Sequence, residues 1–129
     1  MPVVVKNESR ENPPRLAWNT IKNKILSPRY ALDVVFVNSA KMKTLNKTYR
    51  HKPKTTNVLS FGLSKNEGEI FMDLSTARRE APARAMDEKT YVLFLYIHAL
   101  LHLKGLDHET APESARMERQ ETQWLKALR

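Results

Sequence analysis

The stretch YVLFLYIHALLHLK, residues 91–104, constrains the fold more than any other part of this chain. At helical spacing its apolar side chains fall on nearly every side. The helix they form must therefore be surrounded by other elements rather than laid on a surface. Asp87 supplies a capping side chain ahead of it, and Gly105 can take the left-handed conformation that ends a helix. Its longest unbroken apolar run, residues 91–97, is far short of the ~20 residues that span a bilayer. With 129 residues the chain can bury enough surface to enclose such a helix, so a single domain over residues 1–129 is expected.

The rest of the chain supplies the enclosure. Residues 2–6 (PVVVK), 30–37 (YALDVVFV), 57–61 (NVLSF) and 68–72 (GEIFM) read as strands, with residues 62–67 as a hairpin loop. Leu16, Trp18, Ile21 and Ile25 recur at helical spacing after Pro13 and Pro14, in a helix ending near Ser27 and Pro28. Ser39 is placed to cap a second helix, with Met42, Leu45 and Tyr49 as its apolar stripe and Pro53 at its exit. Residues 74–81 read as a further helix, and Pro112 opens a last one that runs to Leu128. Four strands and about five helices predict an α+β fold, a small sheet packed with helices.

The buried helix carries the chemistry. Its end reads HALLHLKGLDH, residues 98–108, and holds three of the chain's four histidines. His98 and His102, four apart, lie one turn above the other on one face. Gly105 lets the chain turn back so that His108 can bring a third imidazole. Three neutral imidazoles with an open fourth position describe a catalytic metal site. One divalent transition metal is expected, zinc first, although imidazole also suits nickel, copper and cobalt. The spacing matches the metalloprotease pattern HExxHxxGxxH, but Ala99 stands where that pattern has its glutamate base, which weighs against peptide hydrolysis. Asp107, just before the third histidine, is expected either to hold the ring N–H of a ligand histidine or to sit near the metal-bound water. With no cysteine in the chain, disulfides and thiolate metal sites are excluded.

Net charge is +8, which favours a polyanionic partner. The positive charge is concentrated: Lys41, Lys43, Lys47, Arg50, Lys52 and Lys54 occur with no acid among them. Lys43, Lys47 and Arg50 share a helical face, and with Lys52 and Lys54 they are the expected nucleic-acid contacts. The arginine fork matches two phosphate oxygens and suits charge that develops in phosphodiester cleavage, whereas lysines track a backbone without reading sequence. The first residues, MPVVVKNESR, lack the apolar core of a signal peptide, so a soluble cytoplasmic protein without a membrane partner is expected.

These segments together resemble the YbeY family of rRNA-maturation endoribonucleases. HALLHLKGLDH is similar to the family's HGxLHLxGYDH signature, with Ala99 in place of glycine and Leu106 in place of tyrosine. LNKTYRHK at residues 45–52 resembles LNxxYRxK, TNVLSF at 56–61 matches the following strand, and GEI at 68–70 resembles GDI. Met117 and Glu121 resemble the M-x-x-x-E pattern of the last helix. The resemblance implies a single-strand-specific, metal-dependent endoribonuclease of the bacterial cytoplasm. It would act in small-subunit rRNA 3′-end maturation and ribosome quality control, with the ribosomal small subunit and an Era-type assembly GTPase as partners. It also implies His98, His102 and His108 as ligands and Arg50 and His98 as the catalytic residues; Ser60 lies in a family motif. Two other readings stay open: a zincin-like metallohydrolase of peptides or other small substrates, and a non-catalytic metal-containing ribosome-assembly factor.

Overall fold

The computed structural model describes residues 1–51, 56–106 and 109–129. The elements follow the order β1 (Val4–Asn7), α1 (Trp18–Ile25), β2 (Ala31–Val37), α2 (Ser39–Arg50), β3 (Val58–Ser64), β4 (Glu67–Asp73), α3 (Leu74–Glu80), a 3-10 turn (Ala81–Arg84), α4 (Glu88–Lys104) and α5 (Ala111–Leu128). The expected α+β class is found. The strands form one mixed sheet in the order β1-β2-β4-β3. β1 and β4 run parallel to β2, and β3 pairs antiparallel with β4.

The sheet has two covered faces, and the alternation of side chains along its strands assigns each helix to one of them. Leu32, Val34 and Phe36 of β2, with Ile70 and Met72 of β4, join the core built by α1, α3, α4 and α5. Val35 and Val37 point the other way, onto Met42 and Leu45 of α2. α4 is buried along its length, with Tyr96, Ile97, Leu100 and Leu101 fully enclosed. Asp87 caps it through the Thr90 N–H at 2.8 Å. Gly105, at φ 112°, ends it and returns its N–H to the His102 carbonyl. Trp18 of α1 meets the Tyr96 ring edge-on at 4.8 Å, and the Tyr96 hydroxyl donates to the Trp18 carbonyl at 2.9 Å.

Several boundaries differ from expectation for identifiable reasons. The hairpin loop is short: β3 continues to Ser64 and β4 begins at Glu67, with a register shift between Gly62 and Ser64 that absorbs the irregularity. Asn38, not Ser39, caps α2 by accepting the Lys41 N–H at 2.8 Å. Ser39 instead donates to Asp73 at 2.5 Å. Tyr49 is not part of the buried stripe of α2. It is 63% exposed and rests against Phe61 with ring centroids 5.2 Å apart. Pro53 lies outside the described residues.

Candidate metal centre and catalytic site

α4 and α5 build the site. His98 and His102, one turn apart near the C-terminal end of α4, present their rings edge to face with centroids 4.8 Å apart. Met117, Glu121 and Leu125 recur every fourth residue on the buried face of α5. That register carries the Glu121 carboxylate into the interior, where its Oε2 lies 2.6 Å from Nδ1 of His98. Glu121 is 7% exposed. An ionised carboxylate only accepts, so Nδ1 of His98 is the donor in this bond. A histidine so held is oriented, which is how carboxylates commonly support metal-binding imidazoles.

The other expected site residues fall in different places. Asp107, His108, Lys52 and Lys54 lie outside the described residues. Among the described residues, no third histidine, aspartate or glutamate joins His98 and His102 in a ligand-like cluster. Lys43 and Lys47 are exposed on α2, which packs on the face of the sheet opposite α4. Arg50 is the last residue of α2. His51 follows in the left-handed conformation, its N–H bonded to the Asn46 and Lys47 carbonyls. The next strand, β3, is the sheet edge that α4 contacts. The structure thus brings two histidines together and sets the lysines of α2 apart from them. Ser60 alternates with Leu59 along β3 and so lies on the α4 side of the sheet.

The departures at Ala99 and Leu106 are accommodated by packing. Ala99 is 1% exposed, and Leu106 rests against the main core. Neither position offers a group that moves a proton. Glu121 is the functional candidate that periodicity alone does not single out. Its signal is an acid on an apolar helical stripe, a placement that demands a partner.

A cleft opens beside His98, lined by Asn57, Tyr91, Phe94, Glu118 and Glu121 among others. Tyr91 donates to Glu80 Oε1 at 3.0 Å, and the Asn57 amide donates to the same oxygen at 2.9 Å. Burial, then the bond to Glu80, raises the Tyr91 hydroxyl above its ordinary pKa, so it stays protonated at neutral pH.

The family model for "Endoribonuclease YbeY" matches residues 5–129. The chain belongs to the YbeY family. Among curated YbeY endoribonucleases, that of a Chelativorans species is 36% identical over 107 residues, 76% of this chain and 66% of the relative. That of Cupriavidus necator is 35% identical over 121 residues, 90% of this chain and 61% of the relative. Both alignments cover under two thirds of the relative's length. That of Geobacter metallireducens is 32% identical over 139 residues, covering 94% of this chain and 91% of the relative. The solution structure of a Thermotoga maritima protein shares the fold described above, with a TM-score of 0.67 at 22% identity, covering 98% of this chain and 88% of that one.

Proposed function

We propose that this YbeY-family chain is a metal-dependent endoribonuclease that cuts single-stranded RNA in the cytoplasm, acting in small-subunit rRNA 3′-end maturation and ribosome quality control. The observation that carries this reading is the His98–His102 pair with the buried Glu121 carboxylate behind His98, in a chain whose family relatives are named endoribonucleases. The ribosomal small subunit and an Era-type assembly GTPase are the proposed partners. No described helix is long and apolar enough to cross a membrane.

The donor set fits a divalent transition metal. Two adjacent imidazoles, one with its proton committed to a carboxylate, have the chemistry of borderline-soft ligands. His98 and His102 would hold the ion with His108 as the third ligand, and zinc is the first choice. Bound there, the ion supplies Lewis-acid polarisation of a phosphate oxygen and acidifies water. The chain's own residues do the rest. Glu121 fixes the His98 ring, and Asp107 holds the ring N–H of a neighbouring ligand. Arg50 clamps the phosphate through its planar fork as charge develops. Lys43, Lys47, Lys52 and Lys54 bind the RNA backbone at positions beyond the cut.

The peptide-cleaving alternative lacks its base, since Ala99 is apolar and buried and Glu121 is engaged with His98. A non-catalytic assembly factor would bind RNA without cutting it. RNA cleavage by the intact and the chelated protein, with a labelled peptide in parallel, tests these readings together. The expected result is RNA cleavage that chelation abolishes, with the peptide untouched. RNA binding without cleavage by the metal-loaded protein would overturn the catalytic reading.

A further inference from the structure

The cleft beside His98 has a volume of about 470 Å3, within the roughly 300–1,000 Å3 typical of small-ligand sites. One wall is a column of three flat groups. The Tyr91 and Phe94 rings stack with centroids 6.1 Å apart and planes 10° from parallel. The Arg84 guanidinium lies over Phe94, 4.7 Å from its centroid. Arg84 is exposed, so the column ends on a planar cation at the cleft's mouth. Glu80 anchors the other end by accepting from both Tyr91 and Asn57. Among the described residues, Asn57 Oδ1 has no hydrogen-bond donor.

The opposite wall belongs to α5 and carries Glu118 and Glu121. Carboxylates there repel a phosphate backbone, so a polyanion does not run along the floor of the cleft. A neutral planar group meets no such penalty. Aromatic faces and arginine planes both stack nucleobases, and the plane this column leaves exposed is that of Arg84. The phosphates stay at the mouth, within reach of the arginine's edge donors.

We propose that this cleft is a nucleoside subsite, which takes the base of a nucleotide adjoining the scissile phosphate onto the Arg84–Phe94–Tyr91 column. The proposal deepens, and rests on, the reading of the chain as a single-strand ribonuclease. It identifies a place on the α4 side of the sheet for RNA that the lysines of α2, on the far face, do not reach.

The test pairs side-chain and base deletions. Single-stranded RNA oligonucleotides with one abasic nucleotide, moved stepwise across the cleavage site, are bound to and cleaved by the metal-loaded full chain. The proteins are wild type, Arg84→Ala, Arg84→Lys and Phe94→Leu, each checked for an unchanged unfolding temperature. In wild type, the abasic change next to the scissile phosphate is expected to weaken binding roughly tenfold, the loss of one base stack. In Arg84→Ala and Phe94→Leu the same change is expected to cost nothing further, and Arg84→Lys is expected to behave like Arg84→Ala because an ammonium has no plane. Should Phe94→Leu unfold, the exposed Arg84 variants decide alone. A full abasic penalty persisting in these variants, or no abasic penalty in wild type, overturns the subsite. Abasic-sensitive binding that Arg84→Ala removes, in a wild type that cuts no RNA, upholds the subsite and overturns the ribonuclease reading instead.

Discussion

At the scale of single residues, the site depends on a bond that joins two helices. Glu121 holds His98 from behind, at 2.6 Å. Glu121→Ala leaves Nδ1 of His98 without that acceptor, and loss of such a supporting carboxylate typically costs 10- to 100-fold in metal affinity. Glu121→Gln keeps a neutral oxygen and is expected to lose less. Competition titration against a chromogenic chelator measures both, and equal affinity in Glu121→Ala and wild type would remove Glu121 from the site. His102→Ala should go further and strip the purified protein of its metal, which elemental analysis reads directly. Remote from the site, buried Lys22 shows the same economy of partners. Its ammonium donates to the Met1 carbonyl at 2.6 Å and the Tyr30 carbonyl at 2.8 Å. Burial lowers its pKa below the ordinary lysine value. Lys22→Met leaves those carbonyls unpaired, and a loss of about 2–3 kcal/mol in chemical denaturation is expected.

At the scale of elements, glycine decides where α4 stops and how closely β4 packs. Gly105 sits at φ 112°, a conformation that costs other residues about 1–2 kcal/mol. Gly105→Ala is expected to destabilise the fold by that amount and to weaken metal binding too, because His108 follows three residues later. Unchanged metal affinity in a destabilised Gly105→Ala protein would detach the turn from the site. At Gly68 a Cβ would meet the Tyr30 hydroxyl at 2.5 Å and the Phe61 carbonyl at 3.1 Å, so the close approach of β4 leaves no room for one. Much of this was legible in the sequence. An all-round apolar pattern with Asp87 before it and Gly105 after it defines α4, and four β-branched or alternating runs define the strands. What was not legible depends on partners remote in sequence. Ser39 was free to bond Asp73, 34 residues away, so Asn38 took the cap. Tyr49 leaned on Phe61 instead of entering the core. The pairing of His98 with Glu121 spans 23 residues; the sequence marked Glu121 by its M-x-x-x-E resemblance and as an acid on an apolar stripe, but not its partner. The parallel pairing of β1 with β2 is likewise long-range and has no local signature.

At the scale of the whole molecule, the four-stranded sheet separates two kinds of chemistry. The histidine pair lies on the face covered by α4 and α5, whereas Lys43 and Lys47 project from α2 on the other. Arg50 ends α2 and stands between them in sequence, before β3, the sheet edge that α4 contacts. An RNA strand that reaches both must pass around an edge of the sheet, and the contributions of the two faces should separate in experiment. Under the proposed reading, Lys43 and Lys47 act on backbone phosphates away from the cut. Replacing both by Ala should weaken affinity for single-stranded RNA. The slope of log affinity against log salt should flatten by about 0.7 for each phosphate that is no longer neutralised, since fewer counterions are released. The single-turnover cleavage rate at saturating enzyme should stay near wild type. Arg50→Ala should do the opposite. An exposed arginine contributes little to the fold and is not a ligand type, so stability and metal content should be unchanged. If it meets the phosphate only as charge develops, the chemical step should fall by on the order of 10²–10³ with little change in affinity. Arg50→Lys should restore only part of that rate, because an ammonium cannot make the two-pronged contact. Wild-type single-turnover cleavage by Arg50→Ala would make Arg50 another backbone contact, and would leave the chemistry entirely to the face of the sheet that α4 covers.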